Sequence, residues 1–215
     1  AFSIDAATGK LTLLNQKATN GTAPCHLMLD RSGRNLLIAN YSSGSVTVIR
    51  VAADGHLGEI SSLVQHTGSS VHPTRQKGPH AHDIAFDPSG QFVFVCDLGA
   101  DRVMTYRLDA DSGKLTPANP AFTALKPGSG PRHMTFRPDG KFAYVISELA
   151  STLTTFAFDA TTGALREVQT VSTLPAGYTG SSTTAEVQVS ASGKFLYGSN
   201  RGHDSLATFA IDPAA

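Results

Sequence analysis

The chain has 215 residues, enough to bury a sizeable core as one large domain. Its 17 basic and 17 acidic side chains cancel to a formal charge of zero, so there is no bulk attraction to nucleic acid or to an anionic membrane. No apolar run approaches the roughly 20 residues of a membrane helix.

In chain order, the opening residues AFSIDAATGK show neither the basic nor the apolar segment of a secretory signal, and the two cysteines, Cys25 and Cys96, fit a reducing, cytoplasmic setting. Residues 1–4 read as a strand that runs through a turn into Gly9-x-Leu11 and a further strand. Four segments with one grammar follow: HLMLDRSGRNLLIANYSSGSVTVIRV from His26, HDIAFDPSGQFVFVCDLGADRVMTYRL from His82, RHMTFRPDGKFAYVISELASTLTTFAF from Arg132 and AEVQVSASGKFLYGSNRGHDSLATFAI from Ala185. Their turn glycines, Gly33, Gly90, Gly140 and Gly193, are separated by 57, 50 and 53 residues. A second landmark keeps step, as Gly-x-Leu at Gly9, Gly55, Gly113 and Gly163.

Each unit reads as four strands. A short alternating stretch meets an Asp-Pro-Ser-Gly type of turn, in which proline fixes φ and glycine supplies a positive one. An apolar run, a polar loop and a third alternating strand follow, and Asp-x-x-x-Gly-x-Leu turns the chain into a fourth. Four antiparallel strands in about 50 residues is the pattern of a propeller blade. The expected fold is therefore all-β, a single β-propeller domain over 1–215 and a fragment of a larger ring, with no helix longer than two turns. Its pieces are a fourth-strand piece at 1–24 and repeats at 25–79, 80–131, 132–184 and 185–215. The last repeat stops before its own fourth strand: the N-terminal strand could supply it, but the expectation is that blades are absent from this chain on both sides. Open sheet faces at the ends predict either self-association or missing blades. Phe92, Phe142 and Phe195, at equivalent second-strand positions, are expected to be buried between blades. Cys25 and Cys96 have no metal-ligand spacing and are expected to be buried free thiols.

The motifs GPRHMTFRPDGKFAYVISELAST, AEVQVSASGKFLYGSNRGHDSLATF and HAHDIAFDPSGQFVFVCDLGADRV together resemble the seven-bladed lactonase family, which includes propeller-type 6-phosphogluconolactonases and carboxymuconate-lactonising enzymes. Ser147 stands where that family usually has asparagine before Glu-Leu, and about four blades stand where it has seven. The resemblance implies a catalytic set of His82, Arg132, Glu148 and Arg201, with a small anionic lactone as substrate and no cofactor. Opening a lactone needs a base to activate water and donors for the oxyanion. Glu148 or His82 suits the first role and the arginines suit the second, or suit gripping a phosphate or carboxylate.

His80, His133, Asn200 and His203, which neighbour these positions, are candidates for contacting substrate. Blander readings stand beside them. His82 could cap a strand, Glu148 and Arg201 could form a structural ion pair between blades, and His203 with Asp204 reads as a solvated turn. His26 shares the repeat position of His133, which favours a structural role for both. His80-x-His82 places two imidazoles on one strand face, but no third ligand is evident and no metal site is expected. The stretches 68–78 and 176–184 read as long blade-connecting loops. Arg75 and Lys77 in the first could help bind an anion, with solvated surface as the default. Two other functions remain open: a lactonising cycloisomerase, and a non-enzymatic binding propeller of the kind LIANYSSGSVTVIRV resembles. Convergence of His82, Arg132, Glu148 and Arg201 in one pocket would favour an enzyme.

Overall fold

The computed structural model describes residues 1–212, and all the regular elements among them are strands. None of the described residues forms a helix long and apolar enough to cross a membrane. The first strands, β1 (Phe2–Ile4) and β2 (Leu11–Leu13), pair as a hairpin. The first blade contains β3 (Pro24–Leu29), β4 (Asn35–Asn40), β5 (Ser45–Val51) and β6 (Leu57–Gln65). The second contains β7 (Ala81–Phe86), β8 (Phe92–Asp97), β9 (Arg102–Asp109) and β10 (Lys114–Ala124). The third contains β11 (Pro131–Phe136), β12 (Phe142–Ser147), β13 (Thr152–Phe158) and β14 (Leu165–Ser172), and the last contains β15 (Thr183–Val189), β16 (Phe195–Arg201) and β17 (Ser205–Ala210). Within each blade the strands lie in sequence order, and all pairings are antiparallel. The first strands β3, β7, β11 and β15 neighbour one another, as the inner strands of a propeller do.

The turns form for local reasons. At the β7–β8 turn the Asp87 carboxylate accepts the backbone N–H of Phe92 at 2.7 Å and of Ser89 at 2.9 Å, and Gly90 adopts φ 77°. An aspartate that satisfies the turn's own amides, with a glycine in the left-handed region, closes a tight hairpin without strain. Asp30 repeats the arrangement in the first blade, accepting the N–H groups of Arg34 and Asn35.

The core lies between blades. Phe92, Phe94, Val145 and Phe156 pack where the second blade faces the third, with Phe136 in tilted and Phe158 in edge-on contact with Phe94, at 5.4 and 5.7 Å. The end blades each bury one face only. Leu27 on β3 and Leu206 on β17 are 61% and 71% exposed. The expected burial of Phe195 is corrected here: it is 44% exposed, because no described blade covers that side of β16, whereas Phe92 is fully buried. Phe142 is half-buried.

The N-terminal hairpin sits against the first blade, where Asn15 exchanges hydrogen bonds with the backbone of Leu57. Neither of its strands joins the last blade, so β1 does not complete that sheet. Cys96 is buried as expected, but Cys25, on the innermost strand, is exposed as a residue and lines the channel mouth, with its Sγ turned to the backbone of the next blade, 3.4 Å from His82 O. The predicted loop at 176–184 ends sooner, since β15 already begins at Thr183. Residues 213–215 of the last repeat lie outside the described residues.

Candidate active site at the channel mouth

Each inner strand is irregular at the same place. Register jumps between Pro24 and His26, between Ala81 and Asp83, between Pro131 and His133, and between Thr184 and Val187. An extra residue of this kind breaks strict alternation and re-aims side chains. It brings Cys25, His82 and Arg132 to the mouth of the channel. One step along each strand stand His26, Asp83, His133 and Glu186.

The second strands supply the rest. Asn40, Asp97, Ser147 and Asn200 lie opposite Pro24, Ala81, Pro131 and Thr184, and all four are buried. Asn40, Asp97 and Asn200 tie down the loops, whereas the Ser147 hydroxyl has no partner among the described residues. Asp97 Oδ1 accepts the N–H groups of His80, Gly99 and Ala100, and Asn200 bonds Thr173 and Ser205. The following residue in three of the repeats, Tyr41, Glu148 and Arg201, faces the mouth beside His82, Arg132 and Arg75.

Glu148 is the hub. Its carboxylate is 5% exposed and pairs with three guanidinium groups: Arg75 Nη2 at 2.6 Å, Arg132 Nε at 3.0 Å and Arg201 Nη2 at 3.0 Å. Burial pushes its carboxyl pKa up, but the hydrogen bond and charge of Arg75, then the charges of Arg201 and Arg132, outweigh this and hold it below the ordinary value. Two arginines are anchored further, with Arg132 Nη1 donating to Ala185 O at 2.7 Å and Arg201 Nη2 to Thr184 O at 2.8 Å. Arg75 Nη2 also donates to Tyr41 Oη at 3.1 Å.

His82 differs from its neighbours. Its ring lies 5.5 Å from Tyr41 and 5.1 Å from His133, both edge-on, and its buried Nδ1 has no hydrogen-bond partner among the described residues. Burial, then the positive charge of Arg132, lowers its pKa to about 3, so the imidazole is neutral at physiological pH. The Cys25 thiol is pushed up to about 11, chiefly by burial, and is a poor nucleophile.

Thus His82, Arg132, Glu148 and Arg201 line one concavity. The four residues expected to touch substrate are not among its lining. His80 stacks on Tyr41 at 4.5 Å and bonds the Tyr41 carbonyl, so it supports the mouth from behind. His133 pairs with Glu186 at 2.9 Å, one layer deeper. Asn200 is 5% exposed within its loop network, and His203 bonds Ser205 with its ring edge-on to Tyr178, as a turn residue would. Sequence reasoning missed Tyr41, although its repeat position matches those of Glu148 and Arg201. It left Arg75 as surface by default, while Lys77 is indeed exposed.

The family model described as "Lactonase, 7-bladed beta-propeller" matches residues 1–215. The chain belongs to this family.

Among curated relatives, a 6-phosphogluconolactonase of Bacillus subtilis is 40% identical over 99% of this chain and 59% of its own length. One of Formosa agariphila is 32% identical over 99% of the chain and 60% of its length. A solved periplasmic gluconolactonase of Pseudomonas aeruginosa superposes with a TM-score of 0.93 at 42% identity, over 99% of this chain and 60% of that one. The chain therefore spans about 60% of the length of the relatives it matches. The GPRH segment of this lactonase-family chain shows what its glycine does: Gly130, at φ 63°, donates its N–H to Asp101 and accepts the N–H of Glu148 at 2.7 Å. A Cβ there would meet Leu149 Cγ at 2.6 Å, so only glycine lets the loop carrying Glu148 dock against the loop carrying Arg132.

Proposed function

We propose that the protein hydrolyses a sugar-acid lactone bearing an anionic group, such as 6-phosphogluconolactone. The observation that carries this reading is the convergence of three arginines on one buried carboxylate beside an unbonded neutral imidazole. A purely structural ion pair would need one arginine and no open imidazole. The named activities of the relatives at 40% and 32% identity support it.

In this reading His82 takes a proton from water as the water oxygen bonds to the lactone carbonyl carbon. Arg132 and Arg201 hold the anionic group or the developing oxyanion, and Glu148 keeps their guanidinium forks aimed before substrate arrives. The tetrahedral intermediate then collapses. The bond from the carbonyl carbon to the ring oxygen breaks, and that oxygen takes the proton from the His82 imidazolium. The products are an open-chain hydroxyl and a carboxylic acid, which ionises. A phosphorylated lactone does not cross membranes, so the same reading places the protein in the cytoplasm, where its two unpaired cysteines would stay reduced. The test is steady-state hydrolysis of 6-phosphogluconolactone with spontaneous opening subtracted. Saturable acceleration is expected; a rate equal to the spontaneous one would overturn the proposal.

A further inference from the structure

The segment between β6 and β7, residues 66–80, is a folded strap with its own framework. Gln76, fully buried, donates from Nε2 to Leu98 O at 2.9 Å and accepts the His72 N–H at 3.0 Å. Backbone bonds join Ser70 to Gln76 and Gln76 to His72, and the His72 ring accepts the Arg75 N–H at 3.1 Å. At its base, His66 pairs with Asp97 at 2.7 Å, both buried. A loop tied down this way holds a side chain in place instead of letting it wander. The side chain it presents to the mouth is Arg75.

Arg75 is more than Glu148 needs. Arg132 and Arg201 already neutralise that carboxylate, so the mouth carries three guanidinium charges against one carboxylate, a surplus of two. Arg75 also spends only one nitrogen. Nη2 makes both its bonds, to Glu148 and Tyr41, leaving Nε and Nη1 as donors without a partner among the described residues, on a side chain 39% exposed. Two surplus positive charges with open donors match a ligand group carrying close to two negative charges. A phosphate monoester has that charge at neutral pH, together with three acceptor oxygens; a carboxylate has half of it and a neutral sugar lactone none.

We propose that Arg75, held over the channel by the Gln76-pinned strap, is the residue that selects a phosphate monoester over an uncharged or singly charged ligand at this mouth. Glu148 and Tyr41 hold its Nη2, and the phosphate oxygens would take Nε and Nη1. The inference rests on the lactonase reading for the identity of the substrate, and on the strap geometry for the role of Arg75.

The experiment uses the full chain and three variants, Arg75→Gln, Gln76→Ala and Lys77→Gln. Binding of inorganic phosphate and of 6-phosphogluconate is followed by calorimetry, and kcat/KM is measured on 6-phosphogluconolactone and on glucono-δ-lactone. Loss of a charge-assisted contact predicts roughly 10- to 100-fold weaker phosphate binding for Arg75→Gln, with a similar fall in kcat/KM for the phosphorylated lactone. The neutral lactone should change less than about threefold, which a merely structural role for Arg75 would not produce. Gln76→Ala keeps the charge but releases the strap, and should move the ratio of the two lactones in the same direction. Lys77→Gln removes a neighbouring charge that points to solvent and should leave both unchanged. Hydrolysis of both lactones at a ratio unmoved by Arg75→Gln, or an equal effect of Lys77→Gln, would overturn the assignment while leaving the lactonase reading intact. Absence of any hydrolysis, with phosphate binding still dependent on Arg75, would do the reverse.

Discussion

On the inner strands two layers of the channel lie one residue apart, His82 and Arg132 at the mouth and His26, Asp83, His133 and Glu186 beyond them, and the two layers differ in how their charges are matched. The mouth holds Arg75, Arg132 and Arg201 around Glu148, with His82 unbonded at its side. The deeper layer alternates His26, Asp83, His133 and Glu186, and is matched in pairs: His26 with Asp83 at 3.1 Å and His133 with Glu186 at 2.9 Å. Glu186 shows the effect of pairing. Burial raises its pKa, but the hydrogen bond and charge of His133 prevail and bring it down to about 2. Balanced pairs consume their own donors and acceptors and hold blades together, whereas a surplus of charge beside an unbonded base leaves chemistry available.

The largest expected difference between the layers is in turnover. His82→Gln removes the proposed proton acceptor and should lower kcat by roughly two to four orders of magnitude with little change in KM. His133→Gln, whose ring is only 5.1 Å away, should stay within about tenfold of the parent. Parallel steady-state assays decide this, and an equally severe His133→Gln would erase the distinction between the layers.

Next in size is Arg132→Lys. Arg132 reaches Glu148 through Nε and Ala185 O through Nη1, a two-direction grip that one ammonium cannot reproduce. A fall of roughly 10- to 100-fold in kcat/KM is expected, the scale of one lost charge-assisted bond. Wild-type values would mean that only the charge matters there.

In the deeper layer the expected loss is stability. Asp83 is 3% exposed, accepts the Met134 N–H at 2.9 Å and faces His26. Asp83→Asn should reduce unfolding free energy by about 1–3 kcal/mol, read by chemical denaturation, with kcat within a few-fold. A large kcat effect with unchanged stability would place Asp83 in the chemistry.

How much of this was legible beforehand follows the physics of each feature. The blades were legible because Gly-x-Leu marks the start of β2, β6, β10 and β14, and the turn glycines Gly33, Gly90, Gly140 and Gly193 mark the first hairpin of each blade; both are local needs of the backbone. Glu148 and Arg201 were legible through the resemblance to the lactonase family, Glu148 just after the second strand of its repeat and Arg201 at the end of its own. The bulges at Cys25, His82 and Arg132 were not, since a period-two pattern cannot display an extra residue, and so Cys25 was expected inside. Phe195 shows that a strand's own pattern does not reveal whether a neighbouring blade covers it. Arg75 was hidden for a different reason: its place depends on tertiary pins at Gln76 and Leu98 that carry no periodicity.

The smallest effect sharpens the comparison most directly, because it reads His82 without any substrate. The His82 pKa falls from the ordinary 6.5 to about 3 in the folded chain, first through burial and then through the charge of Arg132. Between those values the unfolded chain binds a proton that the folded chain refuses. Stability is therefore at its full value above pH 6.5 and declines as the pH falls toward 3. From pH 6.5 to 5.5 the contribution of this one group is a loss of about 1 kcal/mol. His82→Gln abolishes that part of the slope, since glutamine does not titrate, whereas Lys77→Gln should preserve it. Denaturation midpoints across this range, in wild type and both variants, make the measurement. A slope that His82→Gln leaves unchanged would show that the folded chain accepts the proton at His82 after all.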